Sequence, residues 1–416
     1  MIELEHSPLG GSSAWRFMNC DGSFLKHAEN LANGTHEDVP SEFAERGTGA
    51  HELAAICVAG GEEPFEYLGE TFNGYIAGWP GGIELDAVQV YVNECFSIMA
   101  QHGGKPGALT IIEDTITLPE IHPLFKGTVD FGLWVPGEGV WIRDYKNGEG
   151  IGVSAVGNRQ LLYYASLMIL ADPWLRSAPR DLPVSLGIVQ PNFYGIYEDP
   201  DVWETTLGYV LDWCHNELLP QMNKLASRFA EWLANREMTL TFETDFNSGE
   251  WCQFCPVMLE CPKLTEAFLD YAEHSEDFIT MLTNKELDDL YAKREDARRF
   301  MKALETTVYA RKITGAPIAS AKLVEKKVNR VWKPGAADVL KKAFGEKAYK
   351  PKELISPAAA EKLSSRGKEL ALEYGYKPEA HALTIAPLSD PRPEAKPKTN
   401  ADVFQAFQQS AEEAGF

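Results

Sequence analysis

An acid and a base stand two residues apart at the end of an apolar stretch. Residues 140–150 read VWIRDYKNGEG, which puts Asp144 and Lys146 on either side of Tyr145. In a strand, side chains i and i+2 share one face, so both charges point the same way. Burying charge is costly unless it is paired or bound to something. The pair is therefore either a structural ion pair or half of a metal site. A second acid, Asp130, closes the motif GTVD, and Pro136-Gly137-Glu138-Gly139 is a turn signal that brings the two stretches side by side. Gln160 and Tyr164 lie four apart in QLLYYASLMILA, hence on one helix face. His51 ends RGTGAH on an earlier helical segment.

A second set of reactive side chains lies outside that group. The chain has seven cysteines, at 20, 57, 95, 214, 252, 255 and 261. Cys57, Cys95 and Cys214 fall in helix-like segments and read as core residues. Cys252-x2-Cys255-x5-Cys261 is a compact set of three thiols, and Cys20 is the candidate fourth. Four thiolates around one centre mean zinc or iron–sulfur. Zinc sites usually take two tight pairs, so a one-plus-three division is atypical of zinc.

The elements that must position these groups are legible in outline. SAWRFMNC begins a helix for which Ser12 and Ser13 offer caps. Residues 41–59 and 84–103 read as helices. LTIIEDTITL (109–118), KGTVDFGLWV (126–135) and GVWIRDYKN (139–147) read as strands, rich in β-branched and aromatic residues. A buried helix over 160–171, a strand over 184–195 and a long helix over 203–237 follow. The expected class is α/β: a mixed central sheet flanked by helices. Glu113 could assist a metal but reads in preference as a solvent-side acid on an edge strand, and Tyr163 reads as core.

The net charge of −22 argues against nucleic acid as a partner, but its distribution does not. Residues 285–352 hold 18 basic and 9 acidic side chains, a basic region on an acidic body. The expected division is 1–275 for the main domain, 280–385 for a basic, α-rich module, and 386–416 for a Pro- and Lys-rich linker with a short terminal helix. No basic, apolar leader opens the chain, and LLYYASLMILA is too short to span a bilayer. A soluble cytoplasmic protein is expected, with no membrane partner.

In order along the chain, RGTGAH, GTVD, DYK and QLLYY resemble the signature of the PD-(D/E)XK nuclease superfamily in its RecB-like branch. The resemblance covers roughly the first half of the chain. It implies a restriction-endonuclease-like core and Mg²⁺- or Mn²⁺-dependent hydrolysis of DNA, with exonuclease action preferred. It makes Asp130 and Asp144 metal ligands, adds His51 and the Tyr145 carbonyl to them, and gives Lys146 the task of orienting water or stabilising charge at the phosphate. Gln160 and Tyr164 support the site and contact the DNA backbone. SSAWRFMNC and WCQFCPVMLECP further resemble elements of AddB-type and CRISPR-adaptation nucleases. There, one upstream and three downstream cysteines bind a [4Fe–4S] cluster that staples the domain ends. That resemblance assigns Cys20, Cys252, Cys255 and Cys261 to such a cluster, in preference to zinc. The whole chain also looks like phage and prophage proteins with this core and a C-terminal extension, which implies work on phage DNA in a bacterial host. DNA ends are the expected partner, with a recombinase, single-strand-binding protein or helicase beside them. The rival readings are a non-cleaving end-binding module of the same fold, an interaction subunit that hands ends to such a partner, and a zinc-bound structural protein.

Overall fold

Stretches rich in β-branched and aromatic residues yield the three strands that carry most of the site: β1 (Leu109–Thr117), β2 (Lys126–Val135) and β3 (Gly139–Tyr145). The computed structural model describes residues 8–35, 42–148, 152–194, 199–252, 254–272, 282–325, 331–332, 336–345, 349–350, 353–354, 356–361, 365–376, 383–387 and 392–395. The terminal helix expected after residue 400 lies outside them. The chain divides into two units, Met1–Thr306 and Thr307–Phe416.

In the first unit β1–β3 join β4 (Pro183–Val189) and β5 (Asp201–Thr206) in one sheet of that spatial order. β1, β2 and β3 pair antiparallel. The β2–β3 turn places Gly137 at φ 77°, a left-handed position that glycine enters without a Cβ clash. β3 and β4 are parallel, which demands a crossover. Helix α4 (Arg159–Ala171) supplies it, started by Asn158, whose side chain accepts the N–H groups of Gln160 and Leu161. Every residue of α4 from Leu161 to Leu170 is buried, so this helix is core on all sides, as its composition implies.

Two apolar clusters cover the two faces of the sheet. On one, α4 packs with α1 (Asp21–Asn33), α5 (Leu207–Trp213) and α6 (Leu219–Ala234) against Val140, Ile142, Val184 and Leu186. On the other, α2 (Glu42–Gly60) and α3 (Leu85–His102) pack against Phe131, Leu133 and Tyr145. Each fully buried Leu, Ile or Phe contributes about 1.5–3 kcal/mol by leaving water, so this two-sided core holds the strand ends in place.

Three local expectations change. The strand expected over 184–195 ends at Val189, and Pro191–Tyr194 form a helical turn. The helix expected over 203–237 begins only at Leu207, because DVWETT forms β5, alternating between half-buried and exposed residues at the sheet edge. Thr206 ends that strand and caps α5 through Tyr209 N–H. Ser13 caps nothing; its hydroxyl donates to the carbonyls of Pro8 and Gly10.

The second unit is smaller. α10 (Ala336–Phe344) and α11 (Ser365–Tyr374) share a core of Ala336, Leu340, Ala360 and Leu370. Strands β6 (Ala321–Glu325) and β7 (Leu383–Pro387) pair antiparallel. No helix among the described residues is long and apolar enough to cross a membrane.

Candidate functional site

The site begins where β2 and β3 part. Their ladder ends at Phe131↔Arg143, so Asp130 and Asp144 face each other one step beyond it. The next N–H along, that of Tyr145, donates to Asp130 Oδ2 at 2.8 Å instead of to a strand carbonyl. β3 stays attached to β4 on its other side, and Lys146 N–H donates to Val189 O at 2.9 Å. The splayed strands therefore present two buried carboxylates, Asp130 at 8% and Asp144 at 1% exposure, at the end of the sheet.

Around Asp144 the polar groups form a chain. Lys146 Nζ lies 2.8 Å from Asp144 Oδ2 and donates to Gln160 Oε1 at 3.1 Å. Gln160 Nε2 lies 3.0 Å from both Asp144 Oδ1 and Tyr164 Oη. One helix face thus holds the acid and the base of DYK together. Asp144 Oδ2 is buried and has no hydrogen bond of acceptable geometry, so the Lys146 ammonium is its charged neighbour.

Around Asp130 the groups differ. His51 Nδ1, from α2, lies 3.5 Å from Asp130 Oδ2 and 3.4 Å from Glu113 Oε2. One ligand atom from each of His51, Glu113 and Asp130 fits within 4.8 Å of the other two. Glu113 is exposed on the edge strand, as expected, and still reaches this group. The register Ile112↔Phe131 and Asp114↔Val129 sets it opposite Asp130, and its φ of 43° is left-handed. A non-glycine residue pays strain there, and the result is a carboxylate turned to His51. Asp144 lies outside that three-residue group. Tyr145 enters through its N–H and through its ring, 5.3 Å from the His51 ring and stacked on Tyr91 at 5.0 Å.

The electrostatics follow from crowding. Burial pushes the Asp130 carboxyl up to about 7, with Asp144 and Glu113 adding to it against the pull of His51. Burial alone lowers the His51 imidazole, but Asp130 and Glu113 outweigh it and raise the group to about 9. Burial likewise lowers Lys146, and Asp144 with Asp130 reverses the sign. Three carboxylates thus share two cationic partners, His51 and Lys146. A divalent cation such as Mg²⁺ or Mn²⁺ fits the carboxylate oxygens of this donor set, and its charge relieves their crowding.

Tyr164 is itself positioned by a glycine. A Cβ at Gly11 would lie 2.5 Å from Tyr164 Cε1. Gly11→Ala is expected to destabilise the fold by about 1–3 kcal/mol, the usual range for overpacking a core, as read from urea unfolding. The displaced ring carries the hydroxyl that meets Gln160 Nε2, so that contact is lost with it.

The four cysteines named above form a second locus. Cys20, Cys252, Cys255 and Cys261 all line one pocket with Phe246, Trp251 and Leu264. Cys20, Cys252 and Cys261 are buried. Asn247 N–H and Gly249 N–H donate to the sulfurs of Cys20 and Cys252, each at 3.4 Å. Burial raises all four thiols and pushes Cys255 up to about 12, against the opposing charge of Arg16. No three of these sulfurs lie within 4.8 Å of one another. Cys57, Cys95 and Cys214 sit in the two sheet cores, as expected.

Fold and site together define a mixed α/β protein with a five-stranded sheet whose splayed strands end in a histidine, carboxylate and lysine cluster. The chain belongs to the family described as protein of unknown function (DUF2800), whose model matches residues 6–393.

Proposed function

We propose that this protein is a divalent-ion-dependent deoxyribonuclease, acting on DNA ends as an exonuclease. The observation that carries the reading is an open ligand set, His51, Glu113 and Asp130, next to Asp144 with a lysine held against it. Those three residues, completed by Asp144, would hold the ion. When bound, Mg²⁺ or Mn²⁺ supplies neutralisation of charge at the attacked phosphate and an activated water. Lys146 contributes a fixed ammonium to the negative charge that develops on the phosphate oxygens. Gln160 keeps Lys146 and Asp144 in register, and Tyr164 keeps Gln160 in place. Tyr145 N–H holds the Asp130 carboxylate in its orientation.

The thiol pocket is read as a [4Fe–4S] site. That all four thiols line one pocket supports a single shared centre.

The test is a nuclease assay on anaerobically purified protein, using single- and double-stranded DNA labelled at either end. Cleavage with Mg²⁺ or Mn²⁺, abolished by chelator, is the expected result, and the product ladder gives polarity. Tight binding of ends without cleavage would replace this reading by a non-cleaving end-binding module.

Metal affinity should depend on pH with a definite sign. Asp130 and His51 both hold their protons above their ordinary range, and both must lose them to ligate. The ion therefore competes with protons. Mn²⁺ affinity measured by calorimetry should tighten roughly tenfold or more from about pH 6 to about pH 8. A flat or inverted profile would remove these two groups from the ligand set.

A further inference from the structure

Helix α9 (Arg294–Ile313) carries two faces with different work. One face holds the cysteine segment. Asp296 accepts from Ser248 Oγ at 2.5 Å, and Phe300 packs on the cluster containing Cys20, Cys261 and Leu264. Phe300 also stacks on Phe268 of α7 (Pro262–Ala272), with ring centres 4.9 Å apart and planes at 23°. This face fixes α9 to the thiol pocket.

The other face lines an open cleft of about 720 Å³ between α7 and α9. Its walls are Arg294, Arg298 and Lys302, with Phe268, Ala297 and Met301 as apolar floor and Glu305 as the one acid in the lining. The three cations are spaced four residues apart, so they lie on one side of the helix about 6 Å apart along its axis. Arg294 lies over the exposed Tyr291 ring at 3.8 Å. Glu295 pairs with Arg298 at 2.8 Å and Arg294 at 3.4 Å. Such surface pairs are worth little and exchange readily for another anion. Among the described residues, no carboxylate is paired with Lys302.

A regular row of cations beside aromatic and apolar surface matches one kind of polymer. A single nucleic-acid strand offers phosphates at regular intervals and bases free to stack. A duplex hides its base faces, and an acidic peptide has no flat apolar groups to match the floor. We propose that the cleft between α7 and α9 binds single-stranded nucleic acid, its backbone on Arg294, Arg298 and Lys302 and a base on Phe268. Only the choice of DNA over RNA as the polymer in use rests on the nuclease reading.

The test is fluorescence anisotropy on the full chain in chelator, so that no cleavage intervenes. The probes are oligothymidylate, an abasic strand of equal length, and poly-glutamate as competitor. Arg298 and Lys302 are both exposed, so Arg298→Gln/Lys302→Gln should fold normally, as checked by thermal melting. It should bind oligothymidylate roughly tenfold more weakly, with a salt slope shallower by about 1.4 for two lost phosphate contacts. Arg298→Lys should restore part of the loss, and the abasic strand should bind the parent more weakly than oligothymidylate. Unchanged affinity in the double variant, or no binding by the parent, overturns the proposal. Poly-glutamate competing as well as oligothymidylate overturns it in favour of an acidic protein partner. Cleavage that survives with normal binding in the double variant sinks the cleft alone. Binding with the expected losses but no cleavage under any divalent ion sinks the nuclease reading alone.

Discussion

Asp144→Asn is expected to lower divalent-ion-dependent DNA cleavage by roughly 10³-fold or more, the scale on which single charge-stabilising groups act in such sites. The substitution keeps the shape of the side chain. Its amide oxygen can still accept from Gln160 Nε2, which now lies 3.0 Å from Asp144 Oδ1. What it removes is the charge beside Lys146 Nζ, at 2.8 Å from Oδ2. The loss of rate would therefore report chemistry and not folding. Asp144→Ala is the harsher change, because the ammonium loses its anion and Gln160 loses an acceptor. Breaking one half of a buried pair costs about 3–5 kcal/mol, so that variant should also melt early. Initial rates with Mn²⁺, set beside thermal melts of both variants, separate the two effects. An Asp144→Asn protein that cleaves within tenfold of the parent would end the nuclease reading of this site and leave Asp144–Lys146 a structural ion pair.

The second large effect concerns the thiol pocket. Cys255→Ala and Cys20→Ala are each expected to abolish iron incorporation, bleach the broad visible absorption and lower the melting temperature. Cys20 precedes the sheet and the other three cysteines follow it, so a shared centre would close a loop of more than two hundred residues. On the loop-entropy argument for disulfides, such a closure is worth roughly 5 kcal/mol as an upper guide. The carboxylate site draws on other elements, so Mn²⁺ affinity should change much less than stability or DNA binding. Cys57→Ala is the control, a buried thiol in the sheet core and outside the pocket. Iron content and melting temperature that match the parent in Cys255→Ala would falsify the staple. One equivalent of zinc in place of iron would keep the closure and change its chemistry.

Much of the site was readable because its patterns are local. A two-residue period puts Asp144 and Lys146 on one strand face, and a four-residue period puts Gln160 and Tyr164 on one helix face. The structure joins all four through Gln160. Local pattern misled where two elements abut. DVWETT runs into an apolar helix with no Gly or Pro between them, so no turn signal marks the end of β5. Glu113 keeps the expected exposed place on the edge strand, but no short pattern shows its contact with His51. Its alternation in LTIIEDTIT is that of an edge strand, and only a left-handed backbone at φ 43° turns it toward His51.

By itself the sequence determined the class of fold, the strand–turn–strand unit that carries Asp130 and Asp144, and the crossover helix behind them. These depend on periodicity and turn chemistry, which act over a few residues. Only the tertiary structure decided three further points. β2 and β3 part at Phe131 and Arg143, freeing Tyr145 N–H for Asp130. Glu113 meets His51, and one face of α9 packs on the thiol segment while the other lines a basic cleft. Each depends on where a strand ladder ends or on which helix packs where, and no short stretch encodes that alone.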